Sequence, residues 1–398
     1  MKNLRSAFNR VILFTVVALA ITIFALVGCV SYRPTPARYK KEEAPERIIS
    51  VAVMKNVRSV TLSSASLAIV KEGQRISLVS PSSLTLEDGF VRIGGQSYKM
   101  PVHIQGSPII TVDGKEYYGD LLIRRSLIIN EIPLEEYLKG VLSQEVSDSW
   151  PLEALKAQAV VSRTYAIRRM VDNRDKEYDI EDTEMHQKFE YSDAHENINE
   201  AVAETRGIII LYNREPIEAF FHACSGGITE SAGAVFSHDL PYLRSIPDPY
   251  CRDIDRFYWE YEVREEQIRL FLKDKLDESC RDLPLRDIKI KKKTGSGRAS
   301  EFVLLFQNGK SCVLRGNMVR LALDPKQLKS LLIQRIQKKK VDGDLVFVFS
   351  GKGYGHGVGM SQWGAKVMAE HGFHYREILS YYYHGTRVGD VDSIAEPY

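Results

Sequence analysis

The chain has 398 residues, 54 basic against 52 acidic, for a formal net charge of +2. So even a balance argues against nucleic acid as a partner, because a phosphate backbone selects a basic surface. Hydrophobic residues at 44% describe a globular body and exclude a multispan membrane protein, and the length suits two domains of ordinary size.

The first ten residues carry Lys2, Arg5 and Arg10 and no acid, and Val11 to Val27 is almost wholly apolar. A basic start, an apolar stretch and a small residue before a cut make residues 1–28 an export signal. The ending Leu26-Val27-Gly28-Cys29 resembles the bacterial lipobox, which implies that Cys29 is lipidated and becomes the new N-terminus, tying the protein to a membrane. A plain anchor helix is the alternative, since the stretch is near the lower limit for spanning. On either reading the remainder is exported, and the lipobox makes it a lipid-anchored protein of the cell envelope. Residues 29–47 are polar, with Pro34, Pro36 and Pro45, and read as a tether. Fully extended, that tether reaches roughly 60 Å at about 3.3 Å per residue.

Residues 48–128 show short alternating runs such as SVTLSS and LTLEDGFVRIGG, with turn signals at Asp88-Gly89 and Asp113-Gly114. They predict a β-rich N-terminal lobe. The pattern changes near residue 129, where a larger body of residues 129–390 begins. Pro133 to Leu142 reads as a short helix, and Ser149-Trp150-Pro151 opens a longer one with Pro151 in its first turn. On the longer helix, Leu152, Leu155, Ala159, Ser162, Ala166 and Met170 form one stripe at helical spacing. Further on, ENINEAVAETRG is a helix stopping at Gly207, GIIILYN and LVFVFSG are strands, and residues 262–345 mix helices and strands. The fold class is therefore α+β, a mixed α/β body with a β-rich N-terminal lobe.

Four segments carry the chemistry. Glu145 stands between the two helices, flanked by Val146 and Trp150, where partial exclusion of water would raise its pKa and suit it to general acid catalysis. A solvated surface glutamate is the plainer reading of the same spacing. His222, Cys224, Ser225 and Gly226-Gly227 cluster after a strand. With Cys251 they offer three zinc ligands, but a Cys224–Cys251 disulfide or free thiols suit the spacing at least as well. Ser225 beside His222 lacks the G-x-S-x-G setting of a nucleophile elbow, and the chain lacks H-E-x-x-H. The third segment, GKGYGHGVGMSQWGA, has five glycines from Gly351 to Gly359 and is neither a dinucleotide nor a phosphate loop. Its glycines would let the backbone approach a bulky ligand, with His356, Gln362 and Trp363 as contacts. The fourth, the aromatic close from Phe373 to Tyr383, suits sugar faces or simple core packing.

Together the blocks LEEYLKGVLSQEVSDSWPLEALKAQAVVSRTYA, TRGIIILYNREPIEAFFHACSGGITES, PYLRSIPDPYC, GSGRA, LRGNMVRLAL and GKGYGHGVGMSQWGAKVMAEHG strongly resemble the stage II sporulation protein D family, the SpoIID/LytB domain. The resemblance implies action on the glycan strands of peptidoglycan. Sporulation members are lytic transglycosylases of peptide-stripped strands, whereas related members are named as enhancers of wall amidases. It places the catalytic acid at Glu145 and implies substrate-binding roles for Arg163, Tyr165, His222, Ser225, His356, Ser361, Gln362 and Trp363. Val146-Ser147 replaces the family's usual Met-Pro, which could alter the turn holding Glu145. No cofactor is required. Some relatives bind a structural zinc, but the sequence supports no set of metal ligands.

Overall fold

A computed structural model of the protein describes residues 46–183, 187–191, 195–236, 238–252 and 254–394. The expected export signal, Cys29 and the expected tether up to Pro45 lie outside the described residues. Among the described residues no helix is long and apolar enough to cross a membrane.

The N-terminal part is all strand, as the alternation predicts. A seven-stranded sheet runs in the order Ile180–Glu181, Ile48–Met54, Leu127–Pro133, Asp120–Arg124, Val102–Gln105, Ala68–Lys71 and Gln74–Ser77. A six-stranded sheet runs Lys115–Tyr118, Ile109–Val112, Ser59–Ser63, Ser82–Glu87, Phe90–Ile93 and Gln96–Lys99. Every other residue of these strands points inward, so Val60, Leu62, Leu84, Val91 and Ile93 of one sheet join Ile69, Ile104, Leu121 and Ile123 of the other in one core. The strand Leu127–Pro133 crosses the boundary expected at residue 128. It pairs with Ile48–Met54 and leads directly into the first helix, so lobe and body share a continuous core.

That first helix, α1, spans Leu134–Glu145, and α2 spans Leu152–Asp172. Pro151 is the N-cap of α2, one residue outside it, not a member of its first turn. The expected single stripe on α2 is also corrected. From Ala157 to Ile167 the helix is buried all round, because α1, α3 (Glu196–Glu204), the strand Ile208–Tyr212 and two C-terminal helices enclose it. Its fully buried arginine is accordingly well satisfied. Arg163 donates to both carboxylate oxygens of Glu135, at 3.0 and 2.6 Å, to the Thr205 hydroxyl and to the carbonyls of Val202 and Ile208.

A second core, which the sequence did not separate from the body, gathers around Trp259, Phe302, Phe306, Phe347 and Phe349. Two three-stranded sheets enclose it with α4 (Glu265–Leu272) and α5 (Gly316–Leu323). The basic runs from Lys289 to Lys293 and from Lys338 to Lys340 lie on its strands with exposed side chains, the solvated faces expected of them. The chain then returns to the first core as α6 (Gln362–Glu370) and α7 (Tyr375–Tyr382).

Candidate active site

Glu145 is the last residue of α1, at the carbonyl end where the helix dipole disfavours a negative charge. The chain leaves the helix through buried Val146 and closes a turn, with the Trp150 amide donating to the Ser147 carbonyl at 3.0 Å. The Val146-Ser147 pair therefore makes an ordered turn in its own way. Ser147 Oγ lies 2.9 Å from Ser149 Oγ and accepts from the Ser149 amide at 3.4 Å. The Glu145 side chain is half-buried, and Oε2 accepts from Gln362 Nε2 at 3.2 Å. Burial pushes its pKa up, and the Gln362 amide opposes that only in part.

Above Glu145 lies an open cleft of about 470 Å³. Trp150 and Trp363 form its aromatic wall, edge to face with centroids 5.4 Å apart, and Phe257 supports Trp363 from another side at 5.5 Å. Ser147, Ser149, Arg256 and Lys366 complete the lining. Glu145 is the one carboxylate that lines the cleft among the described residues.

Beneath the cleft a second buried carboxylate, Asp248, holds the walls in place. Ser225 Oγ donates to its Oδ2 at 2.6 Å and Tyr382 donates to Oδ1 at 3.1 Å, while Ser361 and the Cys251 amide, which donates to the Asp248 backbone carbonyl at 3.3 Å, also favour its charged form. Burial pushes the Asp248 pKa up and these bonds pull it back, with burial the stronger. Ser361 Oγ also caps α6, accepting from the Gly364 amide at 3.2 Å. Gly364 is required there, because a Cβ at this position would stand 2.0 Å from the Tyr382 hydroxyl and 3.0 Å from Asp248.

The glycine-rich loop packs against the protein itself, which corrects the expectation that its glycines admit a ligand. A Cβ on Gly359, at φ +74°, would lie 1.9 Å from the Phe220 carbonyl oxygen, and one on Gly357 would lie 2.5 Å from the Arg298 guanidinium. This close approach lets Phe221-His222 pair in parallel with Met360-Ser361. From the second core, buried Arg298 donates to the carbonyls of Ser225 at 2.7 Å and Ile228 at 2.9 Å, and burial pushes its pKa down to about 10. The two cores are thus joined at the floor of the site.

The structure brings Glu145, Gln362 and Trp363 together at the cleft. It places the other expected binding residues elsewhere. Arg163, Ser225 and Ser361 are enclosed in the hydrogen-bond networks described above, and Tyr165 is buried on α2 beneath the Arg169 guanidinium. His222 is buried with Nδ1 3.1 Å from the Val358 carbonyl, and its ring lies 5.7 Å from that of His356. Burial, and then the neighbouring His356 and Arg298, hold His222 well below the usual histidine range, and His356 falls to about 4 by burial with Arg320 and Arg298. Both rings are therefore neutral near pH 7. His356 Nδ1 accepts from the Val358 amide, so its proton sits on Nε2.

A disulfide joins Cys224 to Cys251, which resolves the open cysteine assignment and removes two thiolates from any zinc set with His222. No group of three or more metal-ligating side chains gathers among the described residues. Sequence reasoning missed Asp248 and Arg256. Asp248 carried a weak signal, an acid between Pro247 and Pro249 in a segment already singled out, whereas an arginine in an irregular loop carried none.

Residues 124–212 match the family described as stage II sporulation protein, SpoIID, and residues 238–359 match a domain of unknown function, DUF8618. Stage II sporulation protein D of Bacillus subtilis (strain 168) is 32% identical over 286 residues, covering 68% of this chain and 78% of that protein. The chain belongs to the stage II sporulation protein D family. An uncharacterized protein of Brachyspira hyodysenteriae is 33% identical over 303 residues, 75% of this chain and 78% of that protein. A Bacillus subtilis protein named amidase enhancer is 30% identical over 355 residues, 77% of this chain but 49% of its own length. The family match contains Glu145 and α2.

Proposed function

We propose that the protein is a lytic transglycosylase that cuts the MurNAc–GlcNAc linkage of peptide-stripped peptidoglycan strands, leaving 1,6-anhydro ends. The observation that carries this reading is one carboxyl group, pushed toward its protonated form by burial, in a tryptophan-walled cleft that no second described carboxylate lines. Hydrolytic glycosidases divide the work between two carboxylates. Lytic cleavage needs one, because the nucleophile is the sugar's own C6 hydroxyl. Protonated Glu145 gives its proton to the glycosidic oxygen as the bond to C1 breaks. The carboxylate then takes the C6 hydroxyl proton as that oxygen bonds to C1, which closes the anhydro ring and restores the acid. Gln362 orients the carboxyl by its hydrogen bond, and Trp150 and Trp363 offer faces on which sugar rings stack.

The work takes place in the cell envelope, with the chain exported and held through lipidated Cys29. The likeness to a protein named amidase enhancer favours a second reading, in which the domain binds glycan and stimulates a wall amidase without cutting. Mass analysis of sacculi treated with the wild type and with Glu145→Gln separates the two. Anhydro products that vanish with Glu145→Gln support the transglycosylase. Bound glycan with no soluble product from either protein supports the binder, and native product release by Glu145→Gln removes Glu145 from the chemistry.

A further inference from the structure

Arg256 lies in the single helical turn Asp255–Phe257, on the rim of the cleft, and is exposed. Its guanidinium is held over the Trp363 ring, 4.6 Å from the centroid, and 5.7 Å from that of Phe257. Among the described residues no carboxylate or hydrogen-bond acceptor engages it. A guanidinium presents five N–H donors in a plane, and one stacked on an aromatic face keeps those edges free for an anion. Lys366 stands over the same ring with its Nζ 5.3 Å from the centroid, partly occupied by Glu370 one turn along α6. The cleft thus holds the half-buried Glu145 on its floor and a positive rim beside its stacking wall, in which Arg256 has no anionic partner among the described residues.

GlcNAc is uncharged, so that rim has nothing to meet on half of each disaccharide. MurNAc differs, since its C3 lactyl ether ends in a carboxyl group. While a peptide stem is attached that group is a neutral amide, and once the stem is removed it is a free carboxylate next to the ring. We infer that Arg256, assisted by Lys366, is a carboxylate subsite that reads the free lactyl group of MurNAc, selecting stripped strands over those that still carry stems. The inference rests on the proposed glycan substrate and adds the residue that sets its specificity.

The test separates binding from cutting. The full chain carrying Glu145→Gln is titrated with a MurNAc-containing tetrasaccharide bearing free lactyl carboxylates, and with the same sugar converted to methylamides. The acid form should bind about tenfold more tightly, the scale of one charge-assisted pair. Adding Arg256→Gln should abolish that preference, and Arg256→Lys should restore part of it. Equal affinity for acid and amide, or a preference that survives Arg256→Gln, overturns the subsite, whatever the wild type cleaves. A preference that Arg256→Gln abolishes, in a protein whose wild type cleaves nothing, keeps the subsite and overturns the transglycosylase. Failure to bind either sugar overturns the subsite and the glycan reading together.

Discussion

Two buried carboxyl groups lie close to the same helix start, and they are built for opposite ends. Glu145 accepts one side-chain hydrogen bond, from Gln362, and its remaining surface faces the cleft. Asp248 is fully enclosed and accepts from Ser225 and Tyr382, with Ser361 and the Cys251 amide also favouring its charge. Burial raises both pKa values, but only Glu145 keeps an open face through which a proton can pass to a substrate. The difference lies in the number of partners. A carboxylate saturated with donors is a strut, and one left nearly bare at the edge of a cleft is an acid.

The sharpest way to break that contrast is to remove each carboxylate in turn. Glu145→Gln should lower release of anhydro products by about 10²–10⁴, the range of general acid–base assistance, while the thermal midpoint stays within a few degrees. Chromatography of digested sacculi beside a melting curve measures both. Asp248→Ala should do the reverse in kind. It strands the hydroxyls of Ser225 and Tyr382, costing about 1–3 kcal/mol for each donor left without a partner, with denaturant unfolding as the readout. If Asp248→Ala left stability intact and Glu145→Gln unfolded the protein, the two assignments would have to be exchanged.

The pH dependence sharpens the same pair. On the proposed mechanism Glu145 is protonated at the start of the cycle, so kcat should fall as pH rises through its raised pKa, a limb that Glu145→Gln removes. For stability the sign follows from the folded pKa of Asp248 lying above its unfolded value. Its contribution is fully present below the ordinary carboxylate range of about 4 and is lost as pH rises through the raised value. Thermal midpoints of the wild type should therefore decline across that window relative to Asp248→Asn, which has no such ionisation. A parallel decline in both proteins would assign the effect to another group.

Which parts of this arrangement were legible in the sequence follows from the range of the interactions involved. The β-rich lobe announces itself locally, because alternation along SVTLSS or LTLEDGFVRIGG is set by the two faces of one strand. Glu145 was legible as a carboxylate at a helix junction, since both neighbouring helices have local signals. Residues 262–345 read in sequence only as mixed elements, because a separate core is a property of which strands meet, and Trp259 joins Phe302 and Phe349 in one core through tertiary packing alone. Ligand-type side chains on α2 and in the segment from His222 to Ser225 were hard to place in sequence for a related reason. Arg163, His222 and Ser225 have the chemistry of binding residues, and only the fold shows that Glu135, Val358 and Asp248 already occupy them. Arg256 is the converse, an ordinary exposed arginine until Trp363, more than a hundred residues later, is placed beneath it.

The smallest expected effect is the most discriminating for Ser225, whose place beside His222 invites a nucleophile. In the structure its hydroxyl proton is committed to Asp248 at 2.6 Å, its Oγ also accepts from the Gly227 amide at 3.1 Å, and no cleft surface reaches it. His222 is turned away, with Nδ1 on the Val358 carbonyl. Ser225→Ala should therefore cost about 0.5–1.5 kcal/mol of stability, the net worth of an ordinary hydrogen bond, and leave cleavage within a few-fold of wild type. The loss at Asp248 is small because Tyr382 remains as a partner, and Ser361 and the Cys251 amide still favour its charge. A drop in product release as deep as that of Glu145→Gln, in a protein that melts normally, would bring Ser225 into the chemistry and turn Asp248 from strut to participant.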